Sequence, residues 1–270
     1  MFRQGLIFVR AAPRDGPQDG PAGLFLLDTG AQATVIDRGF AAQARLHFGR
    51  AVDLSAPAGD VEARRTGGLE LTLDGGPTAR ADASVADLAD TARIMGVPLA
   101  GVLGMDFLGR FVLRLDYGAS EVRLSAADPD RPAPPGSAPL RAQPLPFVAA
   151  QVARSGRSAQ GVFQIDTGSN TAIEFWAPFA RHAFPDARGA PGQSIGLGGV
   201  ETTDRGRIDV LEIAGRRITG LTVNFADEGR PDGADQAYAG VIGGPAWSGL
   251  ALTLDFSGRR MWLEQSGGAP

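Results

Sequence analysis

The stretch LFLLDTGAQATVID, residues 24–37, places a carboxylate, Asp28, at the end of an apolar run and directly before Thr29 and Gly30. Asp, Thr and Gly are ordinary turn formers, so taken alone the stretch reads as a buried strand running into a turn. A helix is expected after it, over about Ile36 to Leu46, with Asp37 as its N-cap. Further along, QIDTGSNTAIEF (Gln164 to Phe175) repeats the pattern, with Asp166-Thr167-Gly168 standing 138 residues after Asp28-Thr29-Gly30.

A second matched pair follows in nearly the same register. AGVLGMDFLGRFVLRLDYGASEVRL (Ala100 to Leu124) recurs 139 residues later as AGVIGGPAWSGLALTLDFSGRRMWL (Ala239 to Leu263). One Asp-Thr-Gly is a turn; two of them, each followed by a second motif in register, are an internal repeat. Apolar stretches such as GLIFV, LELTL, FVLRLDY, RIDVLEI and LALTLDF are short, β-branched or alternating, and separated by Gly, Pro, Asp and Asn. That punctuation predicts an all-β chain. Only one further helix is expected, from about Glu174 to Ala183. The proline-rich segment Asp128 to Pro146 has no periodicity and reads as an extended linker. The expected organisation is an N-terminal lobe over 1–127, a linker over 128–146 and a C-terminal lobe over 147–270.

Composition narrows the chemistry. At 270 residues and 43% hydrophobic the chain can bury a sizeable core. A net charge of -4 speaks against a nucleic-acid partner. The absence of cysteine removes thiolate catalysis, disulfides and Cys-based zinc sites. His47 and His182 have no third ligand nearby and read as surface or packing residues. No apolar run approaches the roughly 20 residues that span a bilayer. The N-terminal MFRQGLIFVRAAP lacks a signal-peptide pattern; a periplasmic or secreted setting is expected, with any leader missing from this chain, and the cytoplasm stays open. Every basic side chain other than the histidines is arginine, the mark of codon bias in a GC-rich bacterial genome.

If the repeats pack about a pseudo-two-fold axis, Asp28 and Asp166 face each other there. Two carboxylates a few ångströms apart share one proton, which supplies a general base and a general acid together. Gly30 and Gly168 would let backbone N–H groups reach the carboxylates, and Thr29 and Thr167 are placed to hydrogen-bond across the interface. The residue after each tripeptide differs, Ala31 against Ser169. A hydroxyl can stabilise an ionised carboxylate, so Asp28 is expected to be the less acidic of the two.

These paired motifs, with VLG at 102–104 and VIG at 241–243, resemble the aspartic peptidases of the pepsin and retropepsin clan, and most closely bacterial members whose lobes are like two fused retropepsin subunits. The resemblance covers roughly residues 4–125 and 146–265. It implies a bilobal pepsin-like β fold with a cleft between lobes, endopeptidase activity on a peptide or protein substrate, no cofactor, and a monomer, since one chain holds both aspartates. Gly104 and Gly243 read as structural. The chain departs from the pepsin-like pattern in having no tyrosine at a flap position. The flap tips are instead expected in APAGD (Ala56 to Asp60) and GLGGV (Gly196 to Val200), with Ala58, Gly59, Gly198 and Gly199 as candidates. A silent relative that only binds peptides in the same cleft is the alternative. Asp106 faces only Pro245 in the repeat and reads as a turn or cap residue; Trp176, Trp247 and Trp262 read as core or cleft packing.

Overall fold

The chain is described by a computed structural model that covers residues 1–270 apart from 16–17, 48, 55–60, 129, 143, 188, 197–198, 227–237 and 268–270. Strands dominate and form three sheets. The first runs in the order Ala51–Leu54, Val61–Arg65, Ser84–Ala86, Val35–Asp37, Leu99–Leu103, Gly23–Leu27, Leu6–Asp15, Leu69–Leu73, Thr78–Ala81. The second runs Ala190–Gly196, Gly199–Arg207, Thr222–Ala226, Ile173–Phe175, Tyr238–Gly243, Arg157–Asp166, Pro146–Arg154, Val210–Ile213, Arg216–Thr219. Position by position the two orders are the same, so the repeat seen in two short motifs extends through the whole strand path of both halves.

A third, five-stranded sheet joins the halves. Val112–Asp116 lies antiparallel to Leu250–Asp255, with Arg114 opposite Thr253. Those two residues are each other's counterparts in the repeat, so the pseudo-two-fold axis passes between them. Leu113, Leu115, Leu252 and Leu254 on these strands are fully buried, in an apolar cluster that draws on both halves. Each such side chain contributes about 1.5–3 kcal/mol on burial, so the halves share a core. Leu6, Phe8, Leu26, Val35, Leu99 and Val102 form a second, smaller cluster confined to the first half.

The described residues hold four α-helices, all short. α1 spans Arg38–Gln43; Asp37 caps it, one carboxylate oxygen accepting the Phe40 N–H at 3.0 Å and the other the Leu88 N–H at 3.2 Å. α2 spans Ala89–Met95 and ends on Gly96 in the left-handed conformation (φ 64). α3 spans Met105–Leu108 and α4 spans Ala177–Ala183. Helix α4 starts later than the sequence pattern predicts, because Glu174 belongs to the strand Ile173–Phe175, paired on both sides, and Pro178 marks the first turn. Helices α2 and α3 are not predicted by the pattern at all. Both are too short for a repeating apolar stripe, and neither has a side-chain N-cap.

The proline-rich segment is not a free spacer. Ala138–Pro139 pairs with the strand Arg260–Gln265, and Arg141–Ala142 pairs with Pro146–Arg154. Leu140 and Leu145 are buried, and the Arg131 guanidinium lies over the Trp262 ring at 5.5 Å. The segment is strapped onto the second half.

Each hairpin of the shared sheet turns on a buried aspartate. Asp255 accepts from Gly258 N–H, Ser257 Oγ and Arg260 Nε. At Asp116 burial works to raise the pKa, but Ser266 Oγ (2.6 Å), the N–H groups of Ala119 (2.9 Å) and Gly267 (3.3 Å) and the Arg114 guanidinium outweigh it and bring the carboxyl down to about 2. Its lowered pKa means that this stabilisation is present above the ordinary value of 3.8 and is lost as pH falls through about 2. Asp116→Asn is therefore expected to cost roughly 2 kcal/mol at pH 6 and much less near pH 2, read from urea unfolding at the two pH values; an equal loss at both would contradict the assignment.

Candidate active site

The strand that carries Asp28 cannot be separated from the strand that carries the second motif. Leu99–Leu103 is threaded between Gly23–Leu27, to which it is parallel, and Val35–Asp37, to which it is antiparallel. The chain joining those two neighbours, residues 28–34, must therefore arch over the end of the threaded strand. Asp28 N–H donates to Leu103 O at 3.0 Å, and Met105 N–H to Ala31 O at 2.8 Å. The second half repeats this, with Asp166 in register with Gly243 on the parallel strand and Gly244 N–H donating to Ser169 O at 3.1 Å. At Gly104 a Cβ would lie 2.5 Å from the Ala33 carbonyl carbon, and at Gly243 it would strike Thr171 O. Both glycines are needed for close passage of backbone under the arch.

Thr29 and Thr167 tie the two arches together. Thr29 N–H donates to Thr167 Oγ1 and Thr167 N–H to Thr29 Oγ1, both at 3.1 Å. Thr29 Oγ1 donates to Ile165 O and Thr167 Oγ1 to Leu27 O, both at 2.7 Å. Both threonines are fully buried, so each hydroxyl, donating once and accepting once, satisfies two backbone groups of the opposite half that water cannot reach.

This brings Asp28 and Asp166 into side-chain hydrogen-bond contact. Gly30 N–H donates to Asp28 Oδ1 at 2.7 Å and Ala31 N–H at 3.1 Å; Gly168 N–H donates to Asp166 Oδ1 at 2.8 Å. The glycines serve a further purpose that the tripeptide alone does not reveal. A Cβ on Gly30 would sit 2.5 Å from the Asp166 Cγ, and one on Gly168 would collide with the Asp28 carboxylate in the same way. Each glycine makes room for the aspartate of the other half.

Burial raises the pKa of both carboxyls. At Asp28 hydrogen bonds from Asp166, Gly30 and Ala31 offset part of that rise. Asp166 is raised well above 3.8, first by burial and then by the negative charge of Asp28. The two carboxyls titrate as one pair that shares a proton. Ser169 Oγ accepts the Thr171 N–H at 3.3 Å, while the backbone at 168 and 169 serves Asp166 just as the backbone at 30 and 31 serves Asp28. The hydroxyl turns back into its own loop.

Two contributors were hidden from the sequence. Asp106 Oδ1 accepts from Thr34 N–H (2.9 Å), Thr34 Oγ1 (2.7 Å) and Phe107 N–H (2.9 Å), and Thr34 Oγ1 accepts from Gly104 N–H (3.2 Å). Asp106 thus staples the Asp28 arch to the loop beneath it. The available signal was double: where the first half has Thr34 and Asp106, the second has Ala172 and Pro245. Tyr117, the counterpart of Phe256, has a buried hydroxyl raised above its ordinary value by burial and then by the charge of Asp166. It stays a neutral phenol near the pair.

Of the expected flap tips, Ala58, Gly59 and Gly198 lie outside the described residues, while Gly199 opens a strand and pairs with Gly196. The paired strands Ala51–Leu54 with Val61–Arg65 and Ala190–Gly196 with Gly199–Arg207 occupy equivalent places in the two sheets. His47 and His182 are exposed. Trp176, Trp247 and Trp262 are buried. Among the described residues no cluster of His, Asp or Glu is arranged to hold a metal, and no helix is long and apolar enough to cross a membrane.

Two expectations follow. Thr29→Val strands the Thr167 N–H and the Ile165 carbonyl and is expected to cost about 2 kcal/mol or more, with Thr29→Ser recovering most of it, both read from urea unfolding. Because the raised pKa of Asp166 penalises its ionised form in the fold, its cost is absent below the ordinary value of 3.8 and grows as pH rises through the folded value. Asp166→Asn should therefore melt higher than the parent at pH 7, with the gap closing towards pH 3; a gap that widens on acidification would rule the charge account out.

Residues 18–110 match the family model described as "gag-polyprotein putative aspartyl protease". No curated protein matches the chain.

Proposed function

From the chain's membership of the retropepsin/pepsin clan of aspartic peptidases, given by the match over residues 18–110, we propose that it is an endopeptidase in which Asp28 and Asp166 together activate one water. The observation that carries this reading is the pair itself: two carboxyls in hydrogen-bond contact, from equivalent loops of the two halves, sharing one proton.

A pair that shares one proton supplies a base and an acid together. Asp28, ionised, takes a proton from a water bound between the carboxyls, and the water oxygen attacks the carbonyl carbon of the scissile amide. Asp166 gives its proton to the carbonyl oxygen, so no oxyanion is left uncompensated. The tetrahedral diol collapses when the proton on Asp28 passes to the amide nitrogen, which leaves as an amine, while one diol hydroxyl returns its proton to Asp166 and restores the singly protonated pair. No covalent intermediate forms, and the rigid threonine lattice keeps both carboxyls in place throughout. A single chain supplies both halves of the pair, which supports a monomer as the working unit.

Activity requires one proton on the pair, neither two nor none, so the rate profile is a bell. Both carboxyls are raised above the ordinary 3.8 by burial, which places the rising limb above the ordinary carboxyl range and the optimum in the mildly acidic range. Digestion of a denatured protein across pH 3–7 is expected to peak there and to be blocked by pepstatin. Asp28→Asn should lower kcat by on the order of 10²–10⁴. An optimum near pH 2, or cleavage undiminished in Asp28→Asn, would overturn the assignment; binding without cleavage would leave a silent peptide-binding relative.

A further inference from the structure

The arch that carries Asp28 is held at its far end by a single carboxylate oxygen. Asp106 Oδ1 takes three donors, the Thr34 N–H, the Thr34 hydroxyl and the Phe107 N–H. Thr34 passes the tie on by accepting the Gly104 N–H, and Asp106 N–H donates to Gln32 O at 3.2 Å. Two residues of the arch are therefore bound to this one side chain and its backbone. The other oxygen, Oδ2, is buried and has no partner. The charged groups around Asp106 are turned elsewhere. Arg110 donates its Nε to the Asp106 carbonyl. Arg80, on the strand Thr78–Ala81 that packs against α3, donates to Gly67 O. Asp82 is exposed and turns its N–H towards the carboxyl without satisfying Oδ2. The strand Leu99–Leu103 carries no charge, and the arch carries only Asp28. The second arch is tied differently, by neutral groups: Asn224 Nδ2 donates to Thr171 Oγ1 at 3.3 Å, and Pro245 stands where the first half has Asp106.

We propose that Asp106 is a positioning residue for Asp28 that acts only while ionised: its carboxylate fixes the Asp28 arch, and protonation of Asp106 loosens that arch and not the other. The inference rests on the peptidase reading and deepens it, adding a second acid-side control to the pair's own. A hydrogen bond to an ionised acceptor is roughly twice as strong as one to a neutral acceptor, so one proton on Asp106 weakens all three bonds at once. The proton has to go to Oδ2, because Oδ1 already faces three donors, and there the new O–H finds no acceptor. Burial raises the pKa of Asp106 above the ordinary carboxyl value, and the hydrogen bonds from Thr34, Phe107 and Asp82 offset part of that rise. The change therefore falls in the acid range in which the pair also titrates. A raised pKa also makes the ionised form the costlier one in the fold at neutral pH, so the charge contributes position and not stability.

On the acid side two protons must then leave before activity appears, one from the pair and one from Asp106. Rates on a single peptide substrate across pH 3–7 should give log kcat an acid limb of slope about 2 in the parent and about 1 in Asp106→Asn. At pH 6 Asp106→Asn should lower kcat by about tenfold or more, with KM held within about twofold. The same variant should melt no lower than the parent at pH 7. Activity lost only in step with the melting temperature makes Asp106 merely structural and overturns the proposal, as does an acid limb of equal slope in the two proteins. Amide hydrogen exchange of the parent needs neither a variant nor cleavage. Protection of the Thr34 and Phe107 N–H groups should fall by at least about tenfold as acid protonates Asp106, while that of Gly243 and Gly244, which bond the second arch, stays level. Equal loss in both arches, or loss in neither, overturns the switch. A parent that cleaves nothing sinks the peptidase reading, and exchange at the two arches then decides by itself whether Asp106 controls the first.

Discussion

Thr29 and Thr167 each close two hydrogen bonds onto the backbone of the opposite half, and the rest of the site depends on that reciprocity. A hydroxyl is one donor and an acceptor, so in a dry interface it serves one N–H and one C=O and no more. Two such hydroxyls related by a two-fold operation leave nothing unsatisfied. The geometry that satisfies them also fixes the distance between the neighbouring aspartates. That distance puts two carboxyls where only one proton's worth of charge is tolerable. The close approach of the two carboxyls is here a consequence of hydrogen-bond satisfaction in a buried loop.

The same operation explains the glycines and the shared sheet. Gly30 and Gly168 are small because the carboxylate of the other half occupies the space a Cβ would take, a requirement absent from a lone lobe. At the other end of the axis, Arg114 and Thr253 face each other in the antiparallel pair that joins the sheets. Leucines flanking them are buried from both sides. The two halves are thus registered at the dyad by polar groups and at the base by apolar ones. Asp116 and Asp255 anchor the hairpins between, with hydrogen bonds from their own turns.

Symmetry is broken around the pair. Thr34 and Asp106 staple one arch and have only Ala172 and Pro245 opposite. Tyr117 stands in place of Phe256 and lies within the field of Asp166. Helix α2 brings Met95 to one side of the pair. Each of these is a departure from the repeat, and each changes the surroundings of one aspartate more than the other.

The spacing of short apolar runs was enough to predict an all-β chain, and residues 24–37 with their copy and the second matched motif divided it into two halves and singled out Asp28 and Asp166, because a strand ending in Asp-Thr-Gly is a local pattern and a repeat is visible without coordinates. The Asp37 cap was legible for the same reason: it depends on residues three apart. The start of α4 was not, since Glu174 has the local preferences of a helix and is claimed by strands 50 and 67 residues away in sequence, at Asn224 and Val241. Nor was the direction of the Ser169 hydroxyl, which is settled by whether Thr171 N–H or a carboxylate lies nearer. The sequence alone determined which residue types recur and at what spacing; the tertiary structure decided which of them touch, because contact between Thr29 and Ile165, or between Thr34 and Asp106, is a property of two chain segments packed in space and leaves no periodic trace in either.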